Sequence, residues 1–199
     1  MVDCELIRTG FPAQPADTLT ALAFVVAGAH LAIRRHGTGP VVYGLLLAAV
    51  GATSFMMHGV GLDGLVESIA VISLALWIAL WAGPGPTRSA VRVCAGATVA
   101  AGMLVWLAPD ARHIATGVAL GAGVLLLIRL RSSQLWIAFG VAAGAAAVYL
   151  LSRAGGPWCV PSSPLQGHGL WHLMMATALW LVGDALAARP ASRQRTAKC

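Results

Sequence analysis

The sequence predicts an all-α membrane protein, a bundle of seven transmembrane helices with its N-terminus outside and its C-terminus in the cytoplasm. Three observations lead to this fold class. Of the 199 residues, 58% are hydrophobic and only 10% charged, the hydrophobic residues form seven long runs, and the basic residues fall on alternate loops. A soluble domain carries about 25% charged residues, so a mean hydropathy of +0.80 indicates that lipid surrounds this chain.

Each apolar run is long enough to cross the hydrocarbon core of a bilayer, which takes roughly 20 mainly apolar residues. The seven helices are predicted at residues 18–33, 40–60, 65–82, 89–107, 113–130, 134–151 and 168–187. Residues rich in Gly and Pro separate them. We expect a single domain over residues 1–199, with an outer N-terminal segment at 1–17 and a basic tail at 188–199. No basic region precedes the first run, so we expect it to be a permanent helix rather than a signal peptide.

The basic residues predict the orientation, because cytoplasmic loops of membrane proteins carry an excess of Lys and Arg. Of the 13 basic residues, ten fall on one set of helix ends: Arg34, Arg35, Arg88, Arg92, Arg129, Arg131, Arg189, Arg193, Arg195 and Lys198. The other set of ends carries Arg8, Arg112 and Arg153, and it is therefore predicted to face outward. Short loops hold these charges, without aromatic residues on a shared face, so nucleic-acid binding is not expected.

Histidines gather where helices are predicted to end on the outer side. His168 and His172 are four residues apart at the start of the seventh helix, so both imidazoles lie on one face and can bind one metal ion. His58 lies at the end of the second helix, with Ser54 one turn before it. The three histidines would supply the three protein ligands of a catalytic zinc site. The alternative is that they are interfacial histidines, each hydrogen-bonded to a neighbouring helix.

Two acidic residues near the start of the third helix are candidates for proton transfer. Asp63 follows His58 closely, and Glu67 lies one turn further on. A carboxylate beside a zinc-bound water can take its proton, because the metal brings the pKa of that water to about 7. Taken alone, Asp63 is better explained as an acid favoured by the dipole at a helix N-terminus. Glu67 lies deeper in an apolar helix and is expected to pair with a neighbouring helix.

Taken together, these motifs resemble the CREST superfamily of membrane hydrolases, which contains the alkaline ceramidases, the adiponectin and progestin receptors and the haemolysin III proteins. The resemblance spans the whole chain in order: Cys4-Glu5, the Gln-Pro-Ala-Asp-Thr-Leu-Thr stretch at residues 14–20, Ser54-x-x-x-His58, an acid on the third helix and His168-x-x-x-His172. It implies zinc ligands at His58, His168 and His172. It further implies that Ser54 stabilises the oxyanion or the metal-bound water and that Asp63 acts on that water.

The function implied by this resemblance is zinc-dependent hydrolysis of a membrane lipid, with cleavage of an acyl amide such as a ceramide-like lipid. The family's calcium site is also implied near Glu5, although Gln14 stands where another carboxylate is expected. A non-catalytic lipid receptor or binding protein of the same fold is the alternative. A haem protein is a third class, but it needs histidines at matching depth on different helices. The expected location is the inner (plasma) membrane of a bacterium, with the site facing outward; the oligomeric state is left open.

Topology also predicts one disulfide among the four cysteines. Cys4 and Cys159 are both expected outside, Cys94 is expected to be buried near the inner end of the fourth helix, and Cys199 lies in the cytoplasmic tail. Since disulfides persist in oxidising compartments and not in the cytoplasm, we expect a bridge between Cys4 and Cys159. Two free thiols that merely pack against their neighbours are the alternative.

Overall fold

The computed structural model describes residues 3–189, and within them the chain forms seven α-helices. They are α1 (Pro15–Arg34), α2 (Thr38–Val60), α3 (Leu65–Ala82), α4 (Arg88–Leu107), α5 (Ala111–Ile128), α6 (Ser133–Ser152) and α7 (Gly167–Ala187). All seven are long and apolar enough to cross a membrane. The predicted all-α bundle of seven membrane-spanning helices is confirmed, and the protein is an integral membrane protein; the orientation of its termini stays a prediction. Residues 190–199, which hold most of the predicted basic tail, lie outside the described part of the chain.

Helix boundaries fall within three residues of the predicted ones, because local sequence signals mark them. Pro15 occupies the first turn of α1, where its missing N–H costs no hydrogen bond. At the start of α4, Thr87 Oγ1 accepts a hydrogen bond from the Ala90 N–H at 3.1 Å. Gly61 ends α2 in the left-handed conformation, at φ 72°, which glycine adopts without steric cost.

Helices α1, α2 and α7 pack on one another, and α3 joins this group by packing against α2. The contact between α1 and α2 is close because glycines face each other across it. A Cβ atom added to Gly28 would collide with the carbonyl oxygen of Gly44, and the reverse also holds. A Cβ atom on Gly51 would lie 2.8 Å from the carbonyl oxygen of Ala21. Small residues at such positions allow helix backbones to approach closely in lipid.

A polar network joins three helices at the arginine-rich end of the bundle. Arg35, which follows α1, donates to Asp184 Oδ1 of α7 from Nε at 2.9 Å and from Nη2 at 2.6 Å. Gln134 of α6 donates to the other carboxylate oxygen of Asp184 at 3.2 Å and to the Leu181 carbonyl oxygen at 3.2 Å. The opposite charges of Arg35 and Asp184 are thus paired, and the network links α1, α6 and α7.

The N-terminal segment, residues 3–14, is attached at the opposite end of the bundle. Its predicted disulfide is formed, and it joins Cys4 to Cys159 in the loop before α7. The N–H groups of Ala13 and Gln14 donate to carbonyl oxygens in the last turn of α2, at 2.9 and 3.0 Å. The segment is therefore fixed both to α2 and to the loop that leads into α7.

The other cysteines agree with the predicted pattern where the structure describes them. Cys94 is free and buried in α4. Cys199 lies outside the described residues.

Candidate metal centre

The three histidines selected from the sequence converge at the end of the bundle that holds the N-terminal segment. One ligand nitrogen from each of His58, His168 and His172 lies within 4.8 Å of the others. The ring centroids of His168 and His172 are 4.6 Å apart, and His58 lies 5.0 and 5.4 Å from them. Two helices therefore present three imidazoles to one small volume.

Helix geometry explains this convergence. His58 lies in the last turn of α2, whereas His168 and His172 occupy the first two turns of α7. The two helices run in opposite directions, so the end of one meets the start of the other. The exposed fraction is 1% for His58 and 0% for His172. An imidazole buried this completely needs partners for its nitrogen atoms.

The Nδ1 atoms of the three rings each face an oxygen atom of the N-terminal region. His58 Nδ1 lies 2.9 Å from Gln14 Oε1, and His172 Nδ1 lies 3.1 Å from Thr20 Oγ1. His168 Nδ1 lies 3.2 Å from Asp3 Oδ1, although the alignment of this pair falls short of a hydrogen bond. Oxygen acceptors at Nδ1 are the usual outer partners of metal-binding histidines, because they hold the proton there and leave Nε2 for the metal.

The Nε2 side of the cluster suits a metal ion. His58 Nε2 is buried and has no hydrogen-bond partner among the described residues. His172 Nε2 has one long contact, 3.4 Å from Ser54 Oγ. Buried polar atoms are almost always satisfied, so a buried, unpartnered imidazole nitrogen in a cluster of three histidines fits the position of a metal ligand. Three histidine nitrogens are the donor set of catalytic zinc sites, which keep a fourth position open.

Ser54 connects the histidines to an acidic residue of α3. Its side chain is buried, with 1% of the residue exposed. Besides its contact with His172, it lies close enough to the carboxyl group of Glu67 to interact with it. Glu67 lies in the first turn of α3. The site therefore contains a hydroxyl group and a carboxyl group beside the three imidazoles.

Asp63, the acid to which the resemblance assigned a role, is not brought to the histidines. Its side chain is 78% exposed and lies 3.3 Å from Arg112 Nη1 of α5. Its Oδ1 also accepts the Leu65 N–H at 3.0 Å, as expected for an acid at a helix start. The sequence left the choice between Asp63 and Glu67 open, and the geometry favours Glu67 as the acid of the site.

Two aspartates that the sequence did not assign to the site lie beside His168. Ligand atoms of Asp3, Asp17 and His168 lie within 4.8 Å of one another. Asp17 is fully buried, and neither oxygen of its carboxyl group has a hydrogen-bond partner among the described residues. Burial raises the pKa of the Asp3 carboxyl, while the nearby His58 opposes that rise. Burial disfavours the charged form of these carboxyl groups, so a cation in the adjoining site would stabilise their ionised form.

A periodic signal could have identified part of this region. Gln14, Asp17 and Thr20 are spaced by three residues at the start of α1, so they lie near one face of the helix. Asp3 has no such signal, because it lies in a segment without helical periodicity.

The implied calcium site stays a prediction. Both carboxylate oxygens of Glu5 accept backbone hydrogen bonds at the start of α1, from Ala16 at 2.9 Å and from Asp17 at 3.0 Å. The side chain of Gln14 donates to the Glu5 carbonyl oxygen at 3.3 Å. Glu5 therefore caps α1 in this structure, in the manner of a carboxylate at a helix N-terminus.

Apolar grooves run along α1 and α7 from the centre towards the other end of the bundle. A groove of about 480 Å³ is lined in part by Thr20, Gly169 and Leu173. A second groove, of about 520 Å³, adjoins it at Leu173 and reaches His30 and Trp180. Trp180 Nε1 donates to His30 Nδ1 at 3.0 Å. His30 is thus paired with a tryptophan, and the described residues do not bring a second histidine to it as a haem site would need.

Comparisons with known proteins add no assignment to this geometry. No protein-family model matches the chain, and no curated protein or solved structure matches it either. Function must therefore be inferred from the residues of the site and their arrangement.

Proposed function

We propose that this protein is a zinc-dependent hydrolase of membrane lipids that cleaves an acyl amide, such as that of a ceramide-like lipid. The observation that carries the proposal is the set of three imidazoles whose Nδ1 atoms face oxygen atoms while His58 Nε2 is buried and unpartnered. The resemblance to the CREST superfamily also supports a zinc-dependent hydrolase. In this proposal His58, His168 and His172 hold the metal.

The residues around the histidines supply the acid–base chemistry. Zinc bound there would polarise a carbonyl oxygen and make water acidic enough to react near neutral pH. Glu67 takes the proton of the attacking water and returns it to the leaving amine nitrogen, as one carboxyl group does in general acid–base catalysis. The hydroxyl of Ser54 donates a hydrogen bond to the oxygen on which negative charge develops. Asp63 has no role in this proposal.

The surroundings of the site support this substrate class. The grooves along α1 and α7 are mainly apolar, and they begin beside Thr20, the residue that contacts His172. An acyl chain lying there would place its carbonyl group at the histidines. A substrate dissolved in the bilayer reaches such a groove from the side without entering water. The proposed location is the inner membrane of a bacterium, with the site facing outward, in line with the arginine distribution.

Metal analysis of the purified protein tests the metal centre. We expect about one zinc per chain in the wild type and loss of zinc in His58→Ala and His172→Ala. His113→Ala is the matched control, because His113 is exposed at the start of α5 and lies near Arg112 rather than the cluster. Full zinc retention in all ligand variants, or its loss in His113→Ala alone, would refute the assigned ligands.

Turnover separates a hydrolase from a lipid-binding protein of the same fold. In Glu67→Gln, the rate of fatty acid release from a fluorescent acyl amide should fall by roughly 10²–10⁴-fold, because the general base is lost. Asp63→Asn should keep near wild-type activity and both variants should keep zinc. An active Glu67→Gln with an inactive Asp63→Asn would return the role to Asp63. Absence of turnover in a zinc-loaded wild type, across acyl amides and esters, would favour the receptor alternative.

A further inference from the structure

We infer that Asp3 is a positioning residue of the metal centre, and that the disulfide beside it makes metal affinity dependent on the oxidation state of the N-terminal segment. This inference rests on the proposed zinc site and adds a residue and a form of control to it. Asp3 is neither a metal ligand nor a proton donor in this reading. It acts on the metal through His168.

The geometry places one carboxylate between two imidazoles. Asp3 Oδ1 lies 3.2 Å from His168 Nδ1, and Asp3 Oδ2 lies 3.9 Å from His58 Nδ1. The side chain of Asp3 is 19% exposed, so most of it is removed from water. A carboxylate facing Nδ1 holds the proton on that nitrogen, orients the ring and makes Nε2 a stronger ligand.

Asp3 differs from the groups that face the other two histidines. His58 has the amide oxygen of Gln14 and His172 has the hydroxyl of Thr20, both of them neutral. A charged acceptor gives a stronger interaction than a neutral one. Of the three imidazoles, His168 therefore depends most on its outer partner. It is also the least deeply buried, with 13% of its side chain exposed, so helix packing restrains it less.

The position of Asp3 is set by attachments outside the helices. The adjacent Cys4 is bonded to Cys159, in the loop that leads to His168. On its other side Glu5 is held by two N–H groups at the start of α1. Breaking the disulfide leaves Asp3 secured on one side alone, so a thiol reductant on this face of the membrane would weaken metal binding without touching a ligand.

Zinc affinity of the full chain in detergent, measured by competition with a chromophoric chelator, tests the role of Asp3. We expect Asp3→Ala to bind zinc roughly 10–100-fold more weakly than wild type, the usual effect of losing an outer partner of a ligand. Asp3→Asn should lose less zinc affinity, because the amide oxygen can still accept a hydrogen bond from His168 Nδ1. Asp110→Asn is the matched control; it removes an exposed acid at the start of α5 and should leave the affinity unchanged.

A second readout separates positioning from general destabilisation. With cobalt in place of zinc, the visible absorption spectrum of Asp3→Ala should shift, because the His168 ring reorients while three nitrogen ligands remain. Wild-type affinity and an unchanged spectrum in Asp3→Ala would overturn the inference while leaving the zinc site intact. Equal losses of zinc affinity in Asp3→Ala and Asp110→Asn would also overturn the inference, because the change in net charge alone would then explain the effect. A wild type that binds neither metal would overturn both proposals.

Reduction of the folded wild type tests the disulfide without a substitution. Treatment with a phosphine reductant, which does not compete strongly for zinc, should lower zinc affinity to about the level of Asp3→Ala. Reoxidation should restore it. An affinity that does not change after complete reduction, verified by labelling Cys4 and Cys159, would refute the dependence on the disulfide.

Discussion

Ser54 makes two contacts that define its role at the scale of single residues. Its hydroxyl lies 3.4 Å from His172 Nε2 and interacts with the Glu67 carboxyl group. In the proposed hydrolysis, a group in this position can donate to the oxygen that gains negative charge. The same hydroxyl is too weak a ligand to hold a metal by itself, so its loss should affect turnover more than metal content.

Ser54→Ala should therefore lower kcat for acyl amide hydrolysis by roughly 10²–10³-fold, the cost of removing one oxyanion donor, with zinc content unchanged. Ser68→Ala is the control, because Ser68 lies beside Glu67 in α3 but its hydroxyl bonds the Gly64 carbonyl oxygen at 2.8 Å. Steady-state kinetics with elemental analysis of the same samples checks both. Equal kcat in Ser54→Ala and wild type would exclude Ser54 from the chemistry.

The acidic residue shows what a sequence can and cannot specify at this scale. Spacing along the chain placed an acid near His58 but did not choose between Asp63 and Glu67. The choice depends on where α3 begins and on its rotation. Asp63 lies before the first turn and faces Arg112, whereas Glu67 lies within that turn and faces Ser54. The rotation of α3 is set by its packing against α2, α4 and α5, and this packing has no local signal in the sequence.

The pairing of α1 with α2 is the contact between elements on which the site most depends. Gln14 directly precedes α1, Thr20 lies in α1, and His58 lies in α2. The separation of the two helices therefore sets the distances from Gln14 and Thr20 to His58. That separation is fixed by Gly28 and Gly44, where each backbone contacts the other. The neighbouring atoms are backbone atoms, which cannot move aside as a flexible side chain can.

Gly44→Leu should force the two helices apart and lower the thermal unfolding temperature in detergent, with a cost of roughly 1–3 kcal/mol or more for overpacking. It should also weaken zinc binding, since His58 moves away from α7. Gly140→Leu in α6 is the matched control, because a Cβ atom there meets no other group within 4 Å. An unfolding temperature equal to wild type in Gly44→Leu would contradict the close packing.

The groove along α1 and α7 gives a second test between elements. Leu173 lines both of its parts, so Leu173→Trp should obstruct a long acyl chain. We expect KM to rise for long-chain amides and to change little for short-chain ones. Leu125→Trp on the exposed face of α5 adds the same bulk away from the groove. It should leave KM unchanged for long-chain and for short-chain amides. Equal effects on short and long chains would place the acyl chain elsewhere.

At the scale of the whole molecule, the number, order and limits of the helices followed from the sequence, since each depends on a run of apolar residues and on local end signals. The path of the N-terminal segment did not. Asp3 reaches His168 because a disulfide, a capped helix start and two backbone hydrogen bonds to α2 fix the segment together. The cysteine pairing was predictable from topology, but the contact that it creates was not.

Orientation in the membrane is the main prediction at this scale, and it follows from the arginine distribution. A cysteine introduced as Ser163→Cys, in the loop before α7, should react with an impermeant thiol reagent in intact cells. One introduced as Ser89→Cys, at the arginine-rich end, should react only after permeabilisation. Cys94→Ser and Cys199→Ser in both chains remove competing thiols. The reverse labelling pattern would place the histidines on the cytoplasmic side.

The disulfide also has a consequence for biosynthesis. Its two cysteines are 155 residues apart, so a ribosome delivers Cys4 to the membrane long before Cys159 has been translated. His168 and His172 emerge later still, on the last helix. A growing or prematurely terminated chain therefore holds one of the three histidines and an unpaired N-terminal segment. The three histidines can therefore meet only after α7 has been made, and under the proposed function a chain that stops before α7 would be inactive towards the lipids around it.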